Sequence, residues 1–492
     1  MVNRTEQNNA ENLGNQHNLR SVSQSAKIGP DTRYEFCGSS MTAFGGLLGL
    51  VKFLDLVKFK DVFKKHYCSP SRKPKLGCYR MILGYLMLLF IGFPRIGHFS
   101  FIRRDRMVCG ILDVHILPAV STFWRYLQSL CLNQSSALLN ISGILRSRVW
   151  QACQLDYTSV SIDIDTTVST VYGDIEGSRK GHNTKHRGKK GLRPVLLFIE
   201  ETREYICGTQ RRGTTMKDEE VAALILSIGK YLPTSVKEVL IRGDAEFIGA
   251  KTVQACRQCG FHFIFANKRC GASFDETQWY QIGKYYYNDT IYKPHGWDVP
   301  CRFVVMRIQK QKDEESCEQL SLFDTHEYKH RVFATDLTWK AHGVIGKYDK
   351  RADVENLIGE SQDEGILAIP SKRFLSNHVY FQIVMLGYNI WRWMKLIAGY
   401  RRISQPDQTN LGETEIPDQI VDHTIRIARL KMLFLPAKIS KSERKTKVKY
   451  SIHDERSAGL MKFLSYLDKR RKDAVKWLDN VLLGAYRIPH VT

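Results

Sequence analysis

At 492 residues and 56.7 kDa the chain is too long for one hydrophobic core, and about two to four domains are expected. Lys and Arg outnumber Asp and Glu by 73 to 50, giving a formal charge of +23 and a pI near 9.5. Such an excess favours a polyanionic partner, nucleic acid first and an acidic membrane surface second. The only strongly apolar run, Met81 to Phe93, is too short to span a bilayer and lacks signal-peptide flanks, so no membrane segment is expected. Twelve scattered cysteines lack the spacing of a secreted disulfide scaffold and point to a reducing cytosol.

Residues 1–32 are rich in Asn, Gln and Ser without an apolar period and read as a disordered tail. An amphipathic helix follows from Thr42 to Val57, with Leu47, Leu48, Val51, Leu54 and Val57 facing a core. Gly45-Gly46 precedes no Gly-Lys-Ser/Thr, so no phosphate loop is implied. Further helices are predicted at Tyr79–Phe93, Ser121–Cys131 (capped by Ser121) and Ser135–Cys153. Arg103, Arg104, Arg106 and Arg125 stud this block, which suits either a DNA-reading unit or a packed helical support.

Ser159–Val168 alternates Val160, Ile162 and Ile164 with Ser161, Asp163 and Asp165, the pattern of a strand. Two aspartates on one strand face are costly unless a positive group sits between them. A basic connection, Gly173–Lys190, carries Arg179, Lys180, Lys185, Arg187, Lys189 and Lys190 and suits either a grip on a phosphate backbone or a solvated loop. Pro194–Glu200 and Glu204–Thr209 read as a hairpin. The apolar run Val239-Leu240-Ile241 then ends in Arg242-Gly243-Asp244, placing a carboxylate at a strand's carboxyl end, where ligands collect in α/β sheets. A helix at Gly249–Cys259 and a strand at Phe261–Phe265 follow. Cys256 and Cys259 fall on that helix with no second pair at finger-like distance, so they read as ordinary helix cysteines rather than a zinc site.

Between Asn267 and Lys347 the pattern turns to short strands, at Lys284–Tyr287, Tyr292–Lys293, Cys301–Ile308 and His330–Thr335. This region holds Trp279, Trp297 and Trp339. Trp297, in the turn Pro294-His295-Gly296-Trp297, is the preferred candidate for stacking on an unpaired base, with β-core packing as the plainer role. A helix beginning near Asp349 or Lys350 and stopping at Gly365 carries Arg351 and Glu355 one turn apart. Val379–Gly399 is a long apolar helix, Ser404–Asp418 a linker, and Ile425–Phe434 and Lys445–Ile452 read as strands around a very basic turn, Lys438–Lys449. A charged helical region, Glu455–Leu483, closes the chain.

Strand Asp165, strand-end Asp244 and helix Glu355 form an all-oxygen donor set without histidine or cysteine, which suits hard cations, Mg²⁺ or Mn²⁺. Two such ions about 3.5–4 Å apart activate a water or hydroxyl and stabilise the leaving oxygen of a phosphodiester. Asp163 is the next candidate ligand. Arg351, with its planar fork, and Tyr348 suit a DNA phosphate, while an Arg351–Glu355 pair supporting the helix is the alternative.

These residues resemble the motifs of the DDE transposases of bacterial insertion sequences. Asp165-Thr166-Thr167 is similar to their D-x-T, and Arg242-Gly243-Asp244-Ala245-Glu246-Phe247 to their R-x-D-x-x-F. Tyr348, Arg351 and Glu355 match Y-x2-R-x3-E, although Gln362 stands where a lysine normally contacts phosphate. Phe374, Asn377, Tyr388-Asn389 and Trp391 fit the same group, most of all the insertion-sequence family numbered thirteen-eighty, and the likeness runs from Thr42 to Lys449. The resemblance implies an α/β fold: a ribonuclease-H-like mixed-sheet core with a β-rich insertion and a helical N-terminal domain. Its expected divisions are a tail at 1–32, helical DNA-binding or dimerisation domain at 33–155, core at 156–268, insertion at 269–346, core again at 347–402 and basic region at 403–492.

Asp165, Asp244 and Glu355 would hold two Mg²⁺, or Mn²⁺ in their place, with Tyr348, Arg351, Trp297, Arg187, Lys189 and Lys190 on DNA. The implied partners are terminal inverted repeats and target DNA, bound by a homodimer in the bacterial cytoplasm at the nucleoid. A nuclease that stops after hydrolysis, and a DNA-binding protein that has lost its chemistry, are the alternatives.

Overall fold

The computed structural model describes residues 28–33, 35–181, 183, 186–268, 271–309, 328–399, 423–442 and 445–473. Most of the expected tail, the 404–418 linker, Lys185 and the chain beyond 473 lie outside these. The chain divides into Met1–Ser40, whose described residues hold no helix or strand, and Met41–Thr492, which carries everything that follows.

A nine-stranded sheet organises the second unit. Its first strands are β1 (Ser159–Thr166), β2 (Val195–Ile199), β3 (Tyr205–Thr209), β4 (Glu238–Gly243) and β5 (His262–Asn267). β1, β2 and β3 form an antiparallel meander, whereas β4 lies parallel to β1 and β5 parallel to β4, giving the order 3-2-1-4-5. Parallel neighbours require crossovers, supplied by helices at Asp218–Leu226 and Ala250–Cys259. Four further strands, β6 (Tyr280–Ile282), β7 (Tyr285–Tyr292), β8 (Cys301–Gln309) and β9 (Tyr328–Thr335), continue the same sheet, because β9 pairs antiparallel with β5. The two short runs expected at 284–287 and 292–293 are one strand, β7.

The four helices predicted before residue 155 are present as α1 (Leu47–Leu56), α3 (Cys78–Ile91), α5 (Val120–Gln128) and α6 (Leu132–Ala152), and two that were not predicted join them, α2 (Phe59–His66) and α4 (Arg106–Ile111). Ser121 does not cap α5: the helix begins one residue earlier, with Ala119 at the cap. α3, the apolar run, is buried from Met81 to Ile91, and among the described residues no helix is long and apolar enough to cross a membrane. With α6 it packs on a long helix at Phe374–Ile397, which is buried around nearly its whole circumference and so lies inside the core.

Two local expectations change. Thr42, expected to open α1, instead lies with Met41 in a short strand paired with Ala437 and Lys438. Ile425–Phe434, expected as a strand, is helical: α-helix over Ile425–Ala428 and π-helix over Arg429–Leu433. Its alternation of apolar and basic residues also satisfies the helical period, since Ile425, Ala428, Arg429, Met432 and Leu433 are the buried positions. Arg429 caps α3 by donating to the carbonyls of Leu89 and Phe90, each at 2.8 Å.

Glu201, in the β2–β3 turn, accepts from the Ser161 amide at 3.0 Å. Burial, helped by neighbouring Glu200, pushes its carboxyl up to about 7. A folded-state value above the unfolded one means that the folded state binds the extra proton. Stability from this group is therefore full below about 4.5 and lost as pH rises through about 7. Glu201→Gln, which keeps an acceptor without the charge, is expected to be more stable than wild type above that range by on the order of 1–3 kcal/mol and equal to it below. Urea titrations at pH 4.5 and 8 check this, and a gain of equal size at both would refute it.

Candidate active site

On the polar face of β1, Ser161 and Asp163 are buried and Asp165 nearly so. The charge is tolerated because each aspartate meets an arginine. Fully buried Arg242 embraces Asp163, Nε to Oδ1 at 2.7 Å and Nη2 to Oδ2 at 2.8 Å. Its remaining contacts are Glu200 Oε2 at 3.0 Å and the Lys347 carbonyl at 2.6 Å. Asp163 is thereby spent on structure, which removes it as the reserve metal ligand.

Asp165 differs. In the parallel pairing, Ile164 stands opposite Gly243, so Asp165 and Asp244 follow at the carboxyl ends of adjacent strands. One oxygen of Asp165 accepts from the Thr166 amide at 2.7 Å, and the other faces Arg351 Nη2 at 3.3 Å. Burial pushes its carboxyl up to about 6; Arg351 and the amide oppose this, while Asp244 and Glu355 push it further up. Asp165 therefore feels the negative charges of both Asp244 and Glu355. Glu355 is exposed and, among the described residues, its side chain has no ion-pair partner. As the side chains stand, no three His, Cys, Asp or Glu among the described residues are arranged to hold a metal ion.

The predicted helix at 349–365 is broken. One helix ends at Asp349, residues Lys350–Ala352 make a 3₁₀ turn, and a second helix runs from Asp353 to Asp363. Tyr348 thus closes the first helix instead of opening the second, its ring packed on Phe333 at 4.6 Å. The break lies where the strands seize the backbone, since Arg242 holds the Lys347 carbonyl and Arg351 donates to the Ile164 carbonyl at 2.9 Å. Arg351 therefore pairs with Asp165 across the sheet end, not with Glu355, and a phosphate would have to draw it from those partners. Gln362, at the lysine position, donates to Thr167 Oγ1 at 3.1 Å and so stays beside the β1 end.

A cleft of about 920 Å³ brings together Asp244, Tyr348, Arg193, Glu246, Lys268 and Trp297. Trp297, half-buried, packs against Phe303. Glu246, of the second motif, lies alongside Arg193 and takes both its terminal nitrogens. Arg187, Lys189 and Lys190 are exposed. Lys190 opens a short strand that pairs with Ser169–Thr170, only a few residues past Asp165. Trp279 and Trp339 line no part of this cleft.

Sequence reasoning missed the turn Glu200-Glu201-Thr202-Arg203-Glu204, where nearly every residue is a clamp. Glu200 takes Arg242 and Lys347, Glu201 the Ser161 amide, and Arg203 reaches Asp353 and Glu360. Glu204, wholly buried, accepts from Arg146, Trp150 and Trp393. Four charges in five residues of a hairpin turn would have been the available signal, but it reads as solvation. Asn389 likewise binds the Tyr205 amide and carbonyl, which makes it a structural anchor.

The molecule is a mixed α/β protein built on a large mixed sheet, with Asp165 and Asp244 at the ends of two adjacent parallel strands and Asp244 lining a cleft that also holds Arg193, Glu246, Lys268, Tyr348 and Trp297. The chain belongs to the family described as transposase DDE domain group 1, whose model matches residues 24–471, a family of enzymes acting on DNA. No curated protein matches it. Among solved structures it is similar to a piggyBac transposase in a synaptic complex with hairpin DNA, at 10% identity over 90% of this chain and 87% of that one, with a TM-score of 0.39.

Proposed function

We propose that this chain is a transposase that cuts phosphodiesters at the ends of a mobile element and joins the freed 3′-hydroxyl to target DNA, with Asp165, Asp244 and Glu355 as metal ligands. The observation that carries the reading is the placing of Asp165 and Asp244 at the carboxyl ends of adjacent parallel strands, with the charges of Asp244 and Glu355 both acting on Asp165. The strand order 3-2-1-4-5 supports a ribonuclease-H-like core, and the Tyr348–Arg351–Glu355 signature supports the insertion-sequence family numbered thirteen-eighty.

The donor chemistry fits Mg²⁺ or Mn²⁺: three carboxylates, no nitrogen or sulfur, and charges of Asp244 and Glu355 acting on Asp165 that a cation would offset. Two such ions, when bound, supply a nucleophilic oxygen at neutral pH and charge neutralisation at the leaving oxygen. The protein's own tasks are positioning and electrostatics. Lys268 lines the cleft beside Asp244, where a backbone phosphate would lie, and Trp297 offers its ring to an unpaired base. Arg187, Lys189 and Lys190 extend a positive surface beyond the β1 end, and a homodimer assembled on DNA would bring two ends together.

The test uses DNA taken from both flanks of the reading frame, a target plasmid and Mg²⁺. Joined product is expected; cleavage without joining identifies a nuclease, and binding without cleavage a protein that has lost its chemistry. Neutralising Arg187, Lys189 and Lys190 together is expected to lower the slope of log affinity against log salt by about one unit per lost phosphate contact. An unchanged slope in filter-binding titrations would make these residues bystanders.

A further inference from the structure

Glu355 is exposed on its helix and, among the described residues, has no ion-pair partner, so something else must set its direction. Asp353 and Glu360 lie two turns apart on one stripe of that helix. Glu355, two residues after Asp353, is rotated about 200° from that stripe, on the opposite side. The stripe is held from behind by Arg203. Its Nη2 reaches Asp353 Oδ1 at 3.2 Å and Glu360 Oε1 at 3.7 Å.

Arg203 is itself fixed. It sits in the left-handed region at φ 60°, which a non-glycine residue seldom occupies, in the turn closed by its amide on the Ile199 carbonyl at 2.8 Å. Its own carbonyl accepts from the Tyr388 hydroxyl at 2.9 Å; that hydroxyl accepts from Arg392 Nε at 3.1 Å, and Arg392 also binds Glu360. The contacts close a ring through the β2–β3 turn, the Glu355 helix and the long central helix.

We propose that Arg203 is a positioning residue for Glu355: by clamping the back of the helix it aims the carboxylate at Asp165 and Asp244 and tunes the site's affinity for a divalent cation. The proposal rests on the reading of Glu355 as a metal ligand.

Mn²⁺ binding to the full chain, followed by electron paramagnetic resonance alongside thermal unfolding, tests it. Arg203→Gln is expected to weaken Mn²⁺ binding at least fivefold. Arg203→Lys, which keeps a cation behind the helix, should recover most of that. Asp353→Asn opens the same clamp from the helix side and should weaken binding in the same direction, which covers the case of an Arg203 variant that does not fold. Glu355→Gln serves as the reference and should lose most binding. If Glu355→Gln binds as wild type does, the ligand reading fails and the proposal with it. If Glu355→Gln loses binding while Arg203→Gln and Asp353→Asn keep it within twofold, the ligand reading stands and the positioning role is overturned. Weakening that follows the fall in Tm and is not recovered by lysine also overturns it.

Discussion

Asp165→Asn, Asp244→Asn and Glu355→Gln are each expected to lower DNA cleavage by about a thousandfold or more, the scale at which a lost transition-state charge partner acts. DNA affinity should stay near wild type, because the grip on the duplex comes from lysines and arginines. Asp165→Asn should also fold, since Arg351 keeps the Ile164 carbonyl as a partner when the facing charge is removed. Asp163→Asn makes the informative contrast. It lies two residues away on the same strand, but its charge balances buried Arg242, so its loss should appear first in stability. Gel assays of cleavage and binding on purified variants, with melting curves, separate these outcomes. An Asp165→Asn protein that cleaves at more than a few per cent of wild type would sink the ligand assignment.

Glu204→Ala is expected to cost about 3–5 kcal/mol, the range for removing one partner of a buried ion pair. Arg146 and Glu204 are both fully buried, so the substitution strands a guanidinium away from water with only the Tyr205 and Tyr231 carbonyls to meet it. The indole N–H groups of Trp150 and Trp393 lose their acceptor as well. Glu204→Gln keeps one acceptor oxygen but not the charge and should fall between. Urea unfolding measures both. A loss below about 1 kcal/mol for the alanine variant would mean that water or a rearranged neighbour replaces the carboxylate.

The three carboxylates were legible in the amino-acid sequence because each stands in a pattern with a local physical cause. Asp165 and Asp244 close runs of β-branched and aliphatic residues, and Glu355 shares a helical face with an arginine one turn earlier. The hairpin, the Asp244 strand with its following helix, and the core helix α3 were legible for the same reason: periodicity is a property of neighbouring residues. What pairs with what was not. Arg351 reads as a partner for Glu355 or for phosphate, yet it bonds to Asp165 and the Ile164 carbonyl, residues far off in sequence. The break before Asp353 carries no glycine or proline; it lies where Arg242 holds the Lys347 carbonyl and Arg351 the Ile164 carbonyl. Asp163 and Asp165 are indistinguishable by pattern, and only the arrival of Arg242 from a parallel strand marks Asp163 as a structural carboxylate and leaves Asp165 as the proposed ligand. Local sequence determines which side chains point to the same side of an element. Which of them are neutralised, and which are left free for chemistry, is decided where distant elements meet, because the cost of burying a charge depends on the charges that the fold brings to it.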